Sequence, residues 1–266
     1  MNDELKYSGL VNTQARRIAA KLAVPGNTLF YIDKQIEDYI KKMDCTPAFF
    51  NYKGFPASSC LSVNDIAVHG VPSDYRLQPE DILKIDVGVT YGNFVTDAAT
   101  TVIVESDKKT KKSSSRKLLQ YCNMQLLNAG LCAVKDGVSL NKITTAIESQ
   151  RDKINDSLGL IKSKKRLCII ESLCGHYIGS SLHVEPCVLS AFHKSEKIKK
   201  YQMMEYENYT LREGDTLCIE PVVTWGNGEI LVSDNDNWSV FTADGSDASH
   251  FEACILVTKE GFEIIS

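Results

Sequence analysis

Four carboxylates and three histidines recur in two matched stretches of this chain, and a packed core gives no reason to put an acid in the middle of an apolar strand. In the first stretch, His69-Gly70-Val71-Pro72 precedes the strand-like run Asp81-Ile82-Leu83-Lys84-Ile85-Asp86-Val87, and Asp97 follows. In the second, His183-Val184-Glu185-Pro186 precedes Asp215-Thr216-Leu217-Cys218-Ile219-Glu220-Pro221, and Glu252 follows. His176 stands ahead of these, between glycines, in Cys174-Gly175-His176-Tyr177-Ile178-Gly179. An unpaired ionised Glu220 among Leu217, Ile219, Val222 and Val223 would cost on the order of several kcal/mol, so a cation partner is the economical explanation.

Four carboxylates carry about four negative charges, which two divalent ions balance. One histidine with four carboxylates is a hard, oxygen-rich donor set that favours Mn, Fe or Co, admits Zn and disfavours copper. A pair of such ions lowers the pKa of water from about 15.7 towards 7, which supplies a nucleophile for an amide carbonyl.

The elements that must position these groups also repeat. Val11, Ala15, Ile18, Ala19 and Leu22 mark one face of a helix that Pro25-Gly26 ends, and Thr28 caps a second helix carrying Ile32, Ile36, Tyr39, Ile40 and Met43. A loop-and-strand region spans 44–80. The run from Ile82 to Val104 alternates around Tyr91-Gly92-Asn93 and reads as a β-hairpin, with Asp86 and Asp97 on opposite arms. Paired arms bring facing side chains within about 5 Å, and two carboxylates that close repel unless a cation sits between them.

Leu119, Cys122, Leu126, Ala129 and Ala133 then mark another helix, and Ser139 caps one carrying Ile143, Ile147 and Ile154. Strands are expected around Cys168–Ser172, Leu217–Thr224, Ile230–Val232 and Ala253–Thr258. Gly26 and Gly137 lie 111 positions apart while Asp86 and Glu220 lie 134 apart, so the second copy carries an insertion, assigned to 191–210. The expectation is one α+β catalytic domain over 1–266, made of two pseudo-symmetric halves (about 1–110 and 111–266) with antiparallel sheet flanked by helices.

The bulk properties are those of an ordinary globular chain: 266 residues, 43% hydrophobic and 24% charged, long enough for one large core. A net charge of −4 argues neither for nucleic acid nor for an acidic substrate. No run of about 18 apolar residues is present, so no membrane span and no secretion signal are expected. Nine scattered cysteines without a Cys-x-x-Cys pair fit free thiols in a reducing compartment, with cytoplasmic location the expectation. Basic clusters at Lys108–Lys117, Lys162–Arg166 and Lys194–Lys200 raise ribosome association, against the plainer reading of solvated loops.

Together these segments closely resemble type I methionine aminopeptidases, the pita-bread metallopeptidases. The resemblance is carried by Asn51-Tyr52-Lys53-Gly54-Phe55-Pro56, Ser62-Val63-Asn64-Asp65, Val68-His69-Gly70-Val71-Pro72, the Asp86/Asp97 hairpin, Cys174 to Pro186, Ile219-Glu220-Pro221 and Phe251-Glu252. It implies removal of the initiator methionine from nascent polypeptides whose second residue is small. It also implies that Asp86 chelates one ion, that Asp97 and Glu252 bridge both, and that His176 and Glu220 complete the other. Glu220 would double as a proton shuttle, His183 would stabilise the oxyanion, and His69 would contact the substrate backbone. The methionine pocket carries over as Phe49, Tyr52, Phe55, Cys60, Leu182 and Trp238, a soft, aromatic-edged set suited to a thioether. A monomer is expected.

Several positions depart from the family pattern. Tyr177 stands where a glycine is usual, His250 where a glutamine is usual, and Ala253 where a histidine is usual. Thr96 and Ala98 flank Asp97 in place of a glycine and a hydroxyl residue, Phe49 replaces a small thiol and Leu182 a phenylalanine. None removes an expected ligand. Two rival readings remain: a proline-specific exopeptidase of the same fold, and a non-catalytic protein-binding module.

Overall fold

The computed structural model describes residues 2–106, 110–160 and 165–266. Helix α1 (Asp3–Leu22) starts at Asn2, whose side chain accepts from the Glu4 amide, and buries Leu5, Val11, Ala15 and Ala19. Helix α2 (Leu29–Lys42) starts at Thr28, whose hydroxyl accepts from the Tyr31 amide as expected for a cap. Its buried stripe, Leu29, Ile32, Ile36 and Ile40, has the three-to-four spacing of one helix face.

Five strands follow: β1 (Thr46–Pro47), β2 (Ser59–Val63), β3 (Ile66–Val68), β4 (Ile82–Tyr91) and β5 (Phe94–Ile103). β4 and β5 pair along their whole length, from Ile82 opposite Ile103 to Tyr91 opposite Phe94. The loop between them is therefore two residues, Gly92-Asn93, and Gly92 supplies the positive φ of +56° that this tight turn needs. β1 and β2 pair with the other edge of β4.

Helices α3 (Lys111–Cys132) and α4 (Leu140–Leu160) lead into β6 (Cys168–Ile169), β7 (Cys174–Tyr177), β8 (Val184–Leu189), α5 (Glu196–Glu207), β9 (Thr216–Ile219) and β10 (Val222–Thr224). Then come β11 (Ile230–Val232), β12 (Val240–Thr242), β13 (Ala248–His250), β14 (Ala253–Thr258) and β15 (Gly261–Ile264). One antiparallel sheet has the order β15-β14-β9-β7-β8, and two smaller ones run β13-β10-β6 and β11-β12-β3. The Ser139 hydroxyl, just before α4, donates to Glu207 at 3.2 Å, which ties the end of α5 to the start of α4.

Two expectations need correction. The strand expected over Leu217–Thr224 is two, β9 and β10, in different sheets, because Pro221 has no amide hydrogen to continue a ladder. β14 crosses likewise from β13, and the register is the same on both sides of the break: Ile219 faces Ala253 and Val222 faces His250. Glu220 and Glu252 therefore stand opposite each other at the kink where both chains change sheet. Asp86 and Asp97, by contrast, are not directly opposite. Asp86 pairs with Ala99 and Asp97 with Gly88, a diagonal of two positions that keeps both on one face.

The 191–210 insertion holds α5, which buries none of its residues. Elsewhere, Arg116 is 2% exposed and bridges layers, with Nε donating to Asp247 at 2.8 Å and Nη1 to the Glu80 carbonyl at 2.5 Å. Asp81, part of the repeated motif, is taken up by this structural cluster: it accepts from Asn64, Tyr75 and the Gln78 amide.

Candidate active site

Every residue expected at the site lines one cavity of about 670 Å³: Asp86, Asp97, His176, Glu220 and Glu252, with His69, His183, Phe49, Tyr52, Phe55, Cys60, Leu182 and Trp238. They come from β2, β4, β5, β7, the two sheet crossings and four loops. Close backbone approach makes room for them. A Cβ on Gly175 would lie 2.2 Å from the Cys218 carbonyl oxygen, so only glycine lets β7 lie this near β9 beside His176. Gly179, the other glycine flanking His176, has nothing within 4 Å of such a Cβ.

His176 is the hub of the acids. Its Nε2 lies 3.9 Å from Asp97 Oδ2, 3.8 Å from Glu220 Oε1 and 3.9 Å from Glu252 Oε1. Its Nδ1 is 3.0 Å from the Tyr177 carbonyl, which can only accept, so Nδ1 carries a proton and Nε2 is the nitrogen that faces the carboxylates. Oxygens of Asp86, Asp97 and Glu252 form a second convergent set within 4.8 Å of one another. Burial, and then the charge of neighbouring carboxylates, pushes Asp97 and Glu252 well above the carboxylate range. Burial likewise lifts Asp86 to about 6 and Glu220 to about 7.

Buried oxygens on Asp86 (Oδ1), Asp97 (Oδ1) and Glu252 (Oε1) have no hydrogen-bond partner among the described residues. Acids this crowded, buried and unpaired fit a site for divalent cations. Cys218 Sγ also lies near His176 and Glu252. It is not a fit donor: the thiol is fully buried, burial holds its pKa well above normal, and it donates to the Asp97 carbonyl at 3.7 Å.

His69 and His183 line the same cavity. Nδ1 of His183 and the Tyr52 hydroxyl are 2.7 Å apart, and the His183 ring meets that of His176 edge-on at 4.3 Å. His69 has a left-handed φ of +56°, held because Gly70 is bonded to β2 on both sides, its carbonyl to Leu61 and its amide to Ser62 Oγ. Both rings are open to the cavity but walled in by protein. Loss of bulk water lowers each to about 4, helped at His183 by His176, Lys53 and His69 and at His69 by His250. Both are neutral at pH 7.

The apolar wall is one aromatic chain. Phe49 meets Phe55 edge-on at 6.5 Å, and Phe55 meets Trp238 at 5.2 Å. Cys60 stands across the ladder from Asp86, joining this wall to the acidic floor. Main-chain bonds from Tyr52 to Phe49 and from Phe55 to Tyr52 fold the segment tightly, with Asn51 and Lys53 at positive φ.

The departures from the family pattern are accommodated. Tyr177 turns away from the cavity and packs on the core, its hydroxyl 3.5 Å from Asp215. The Thr96 hydroxyl bonds Ser8 of α1 at 2.8 Å, while Ala98 and Ala253 are buried. His250 is different. It lines the cavity, with Nε2 3.3 Å from Glu220 Oε2. Sequence reading singled it out only as an oddity; its place two residues before Glu252 was the available signal.

The sequence matches metallopeptidase family M24 over residues 3–259, and the chain belongs to this family. The relatives narrow the class. Methionine aminopeptidase 1 of Mycobacterium tuberculosis is 32% identical over 265 residues, covering 99% of this chain and 91% of that one. Methionine aminopeptidase of Mycoplasma capricolum is 29% identical, covering 99% and 94%. The solved methionine aminopeptidase from Rickettsia prowazekii superposes with a TM-score of 0.84 at 28% identity, covering 98% of this chain and 94% of that one. A prolidase from Pyrococcus furiosus, at 16% identity and TM-score 0.70, shares the fold alone, and this chain spans 62% of its length. The arrangement described above is the α+β pita-bread fold.

Proposed function

We propose that this protein is a methionine aminopeptidase that removes the initiator methionine from nascent polypeptides with a small second residue. The observation that carries the reading is the convergence, in one cavity, of an acidic floor with His176 and a wall of Phe49, Phe55, Cys60, Leu182 and Trp238. Asp86, Asp97, His176, Glu220 and Glu252 would hold two divalent ions, Mn, Fe or Co, with Zn admissible. When bound, the ions supply an activated water and polarise the scissile carbonyl. Asp97 and Glu252, both held well above the carboxylate range by burial and neighbouring acids, would be relieved by nearby cations.

The remaining roles fall to groups of this chain. Neutral His183, oriented by Tyr52, donates a hydrogen bond where charge develops on the carbonyl oxygen. His69 holds the substrate backbone. Glu220, with 15% of its side chain exposed, carries the proton to the leaving amine. The aromatic wall receives the methionine thioether.

Residues 1–266 are read as one catalytic domain of two pseudo-symmetric halves, about 1–110 and 111–266, a reading supported by the two successive helix pairs that each precede a set of strands. A monomeric cytoplasmic enzyme suits nascent-chain substrates. The nine free cysteines and the lack, among the described residues, of a helix able to cross a membrane are compatible with that. Ribosome contact would rest on the basic clusters. Lys108, Lys109, Lys162 and Lys164 lie outside the described residues, and Lys194 is paired with Glu229 at 2.9 Å and Glu171 at 3.8 Å. Pelleting with ribosomes at low but not high salt would support it.

The reading is tested with purified protein and added Mn or Co. Methionine should be released from Met-Ala-Ser, much more slowly from Met-Leu-Ser, and not at all by Asp97→Ala. Equal rates on both peptides would contradict the assigned specificity, and cleavage of X-Pro peptides instead would favour the proline-specific alternative.

A further inference from the structure

We propose that His250 is a sixth protein donor to the metal centre, giving the Glu220 side a second imidazole beside His176. The inference rests on the dinuclear reading above and assigns a residue that reading leaves without a role. His250 is 2% exposed and ends β13, directly before the crossing at which Glu252 stands. Neither ring nitrogen has a hydrogen-bond partner among the described residues. A buried imidazole with both nitrogens unpaired is rare in folded proteins and asks for a ligand. The ring faces the acids: Nε2 is 3.3 Å from Glu220 Oε2, and donor atoms of Glu220, His250 and Glu252 lie within 4.8 Å of one another.

The 3.3 Å separation suits two donors of one cation. Nitrogen and carboxylate ligands each sit about 2.0–2.2 Å from such ions, so two of them on one ion lie no more than about 4.4 Å apart. The contact lacks the geometry of a hydrogen bond, which argues against His250 serving only to steady Glu220. The main chain is also fixed for the task. Thr101 Oγ1 accepts from the His250 amide at 3.0 Å and donates to the His250 carbonyl at 2.6 Å, gripping the residue on both sides. A ring so anchored needs little movement to coordinate.

A second nitrogen softens the donor set and tilts it from Mn towards Co and Zn. The test uses whole protein stripped with chelator and reloaded. Pulsed electron paramagnetic resonance on protein with one equivalent of Mn should detect nitrogen couplings from two imidazoles, with one remaining in His250→Gln. Calorimetric titration with Co should show the tighter site weakened about tenfold or more in that variant. Couplings from a single imidazole in the unaltered protein would overturn the proposal, and that measurement needs no variant to fold. An unchanged Co titration in a folded His250→Gln protein would overturn it too. Failure of the unaltered protein to take up any ion would instead bring down the dinuclear reading itself.

Discussion

The Tyr52 hydroxyl and Nδ1 of His183 share a 2.7 Å hydrogen bond across 131 positions of sequence, joining a loop of the first half of the chain to the second. That bond sets which nitrogen of His183 faces the substrate. Tyr52→Phe keeps the ring that lines the pocket and removes the bond. Expected is a fall in kcat of about 10-fold or more with KM for methionyl peptides little changed, as for a donor that acts in the transition state. A rise in KM at constant kcat would reassign Tyr52 to the pocket alone.

Gly175 touches the Cys218 carbonyl through its missing side chain. Gly175→Ala must push β7 from β9 and carry His176 with it. Overpacking of this kind costs about 1–3 kcal/mol, and weaker ion binding should accompany the lower Tm. Calorimetry with and without Co reads both. Unaltered Tm would show that the strands part without strain.

Phe49 closes the pocket by lying on Gly88, where an added Cβ would come 2.5 Å from its ring. Gly88→Ala should tilt Phe49 into the space meant for methionine. Steady-state kinetics should give a KM raised several-fold with a smaller effect on kcat. Equal kinetics would mean that Phe49 does not bound the substrate.

The metal-free protein is expected to lose stability as pH rises. Asp86 at about 6 and Glu220 at about 7 bind protons more tightly than the same groups in an unfolded chain, near 3.9 and 4.3. Their contribution favours folding at low pH and is lost as pH rises from about 4 through 7. Asp97 and Glu252, raised in the same direction, add to this loss, while His69 and His183, lowered to about 4, oppose it below about 6.5. Tm in chelator should therefore fall mainly between pH 6.5 and 7.5, and adding Mn or Co at pH 7.5 should restore it. A chelated protein that gains Tm over that interval would refute the electrostatic picture.

Much of this was legible because apolar periodicity and turn chemistry are local. The stripe from Ile32 to Ile40, the Thr28 cap and the spans of β11 and β14 follow from side chains within a few residues of one another. The expected acids were legible because each stands in or beside an otherwise apolar run, Asp86 and Asp97 inside strands and Glu220 and Glu252 at strand ends. What escaped depends on fine register or on missing pattern. Centring the hairpin on Gly92 instead of between Gly92 and Asn93 misplaces the partner of Asp86, although both acids stay on one face. Helix α5 has no fully buried residue and packs only Tyr206 on the core, so it leaves no apolar stripe to read. His250 reads from sequence only as a departure from the family pattern, because one histidine beside Phe251-Glu252 carries no pattern until the fold sets it against Glu220.

Between β9 and β10, and again between β13 and β14, the polypeptide leaves one sheet for another, and Glu220 and Glu252 face each other at that seam. Cations seated there would act as rivets through two plates. Loading the centre should then slow amide hydrogen exchange throughout both sheets, far from the cavity, and the plates should shear at this seam first when the rivets are withdrawn.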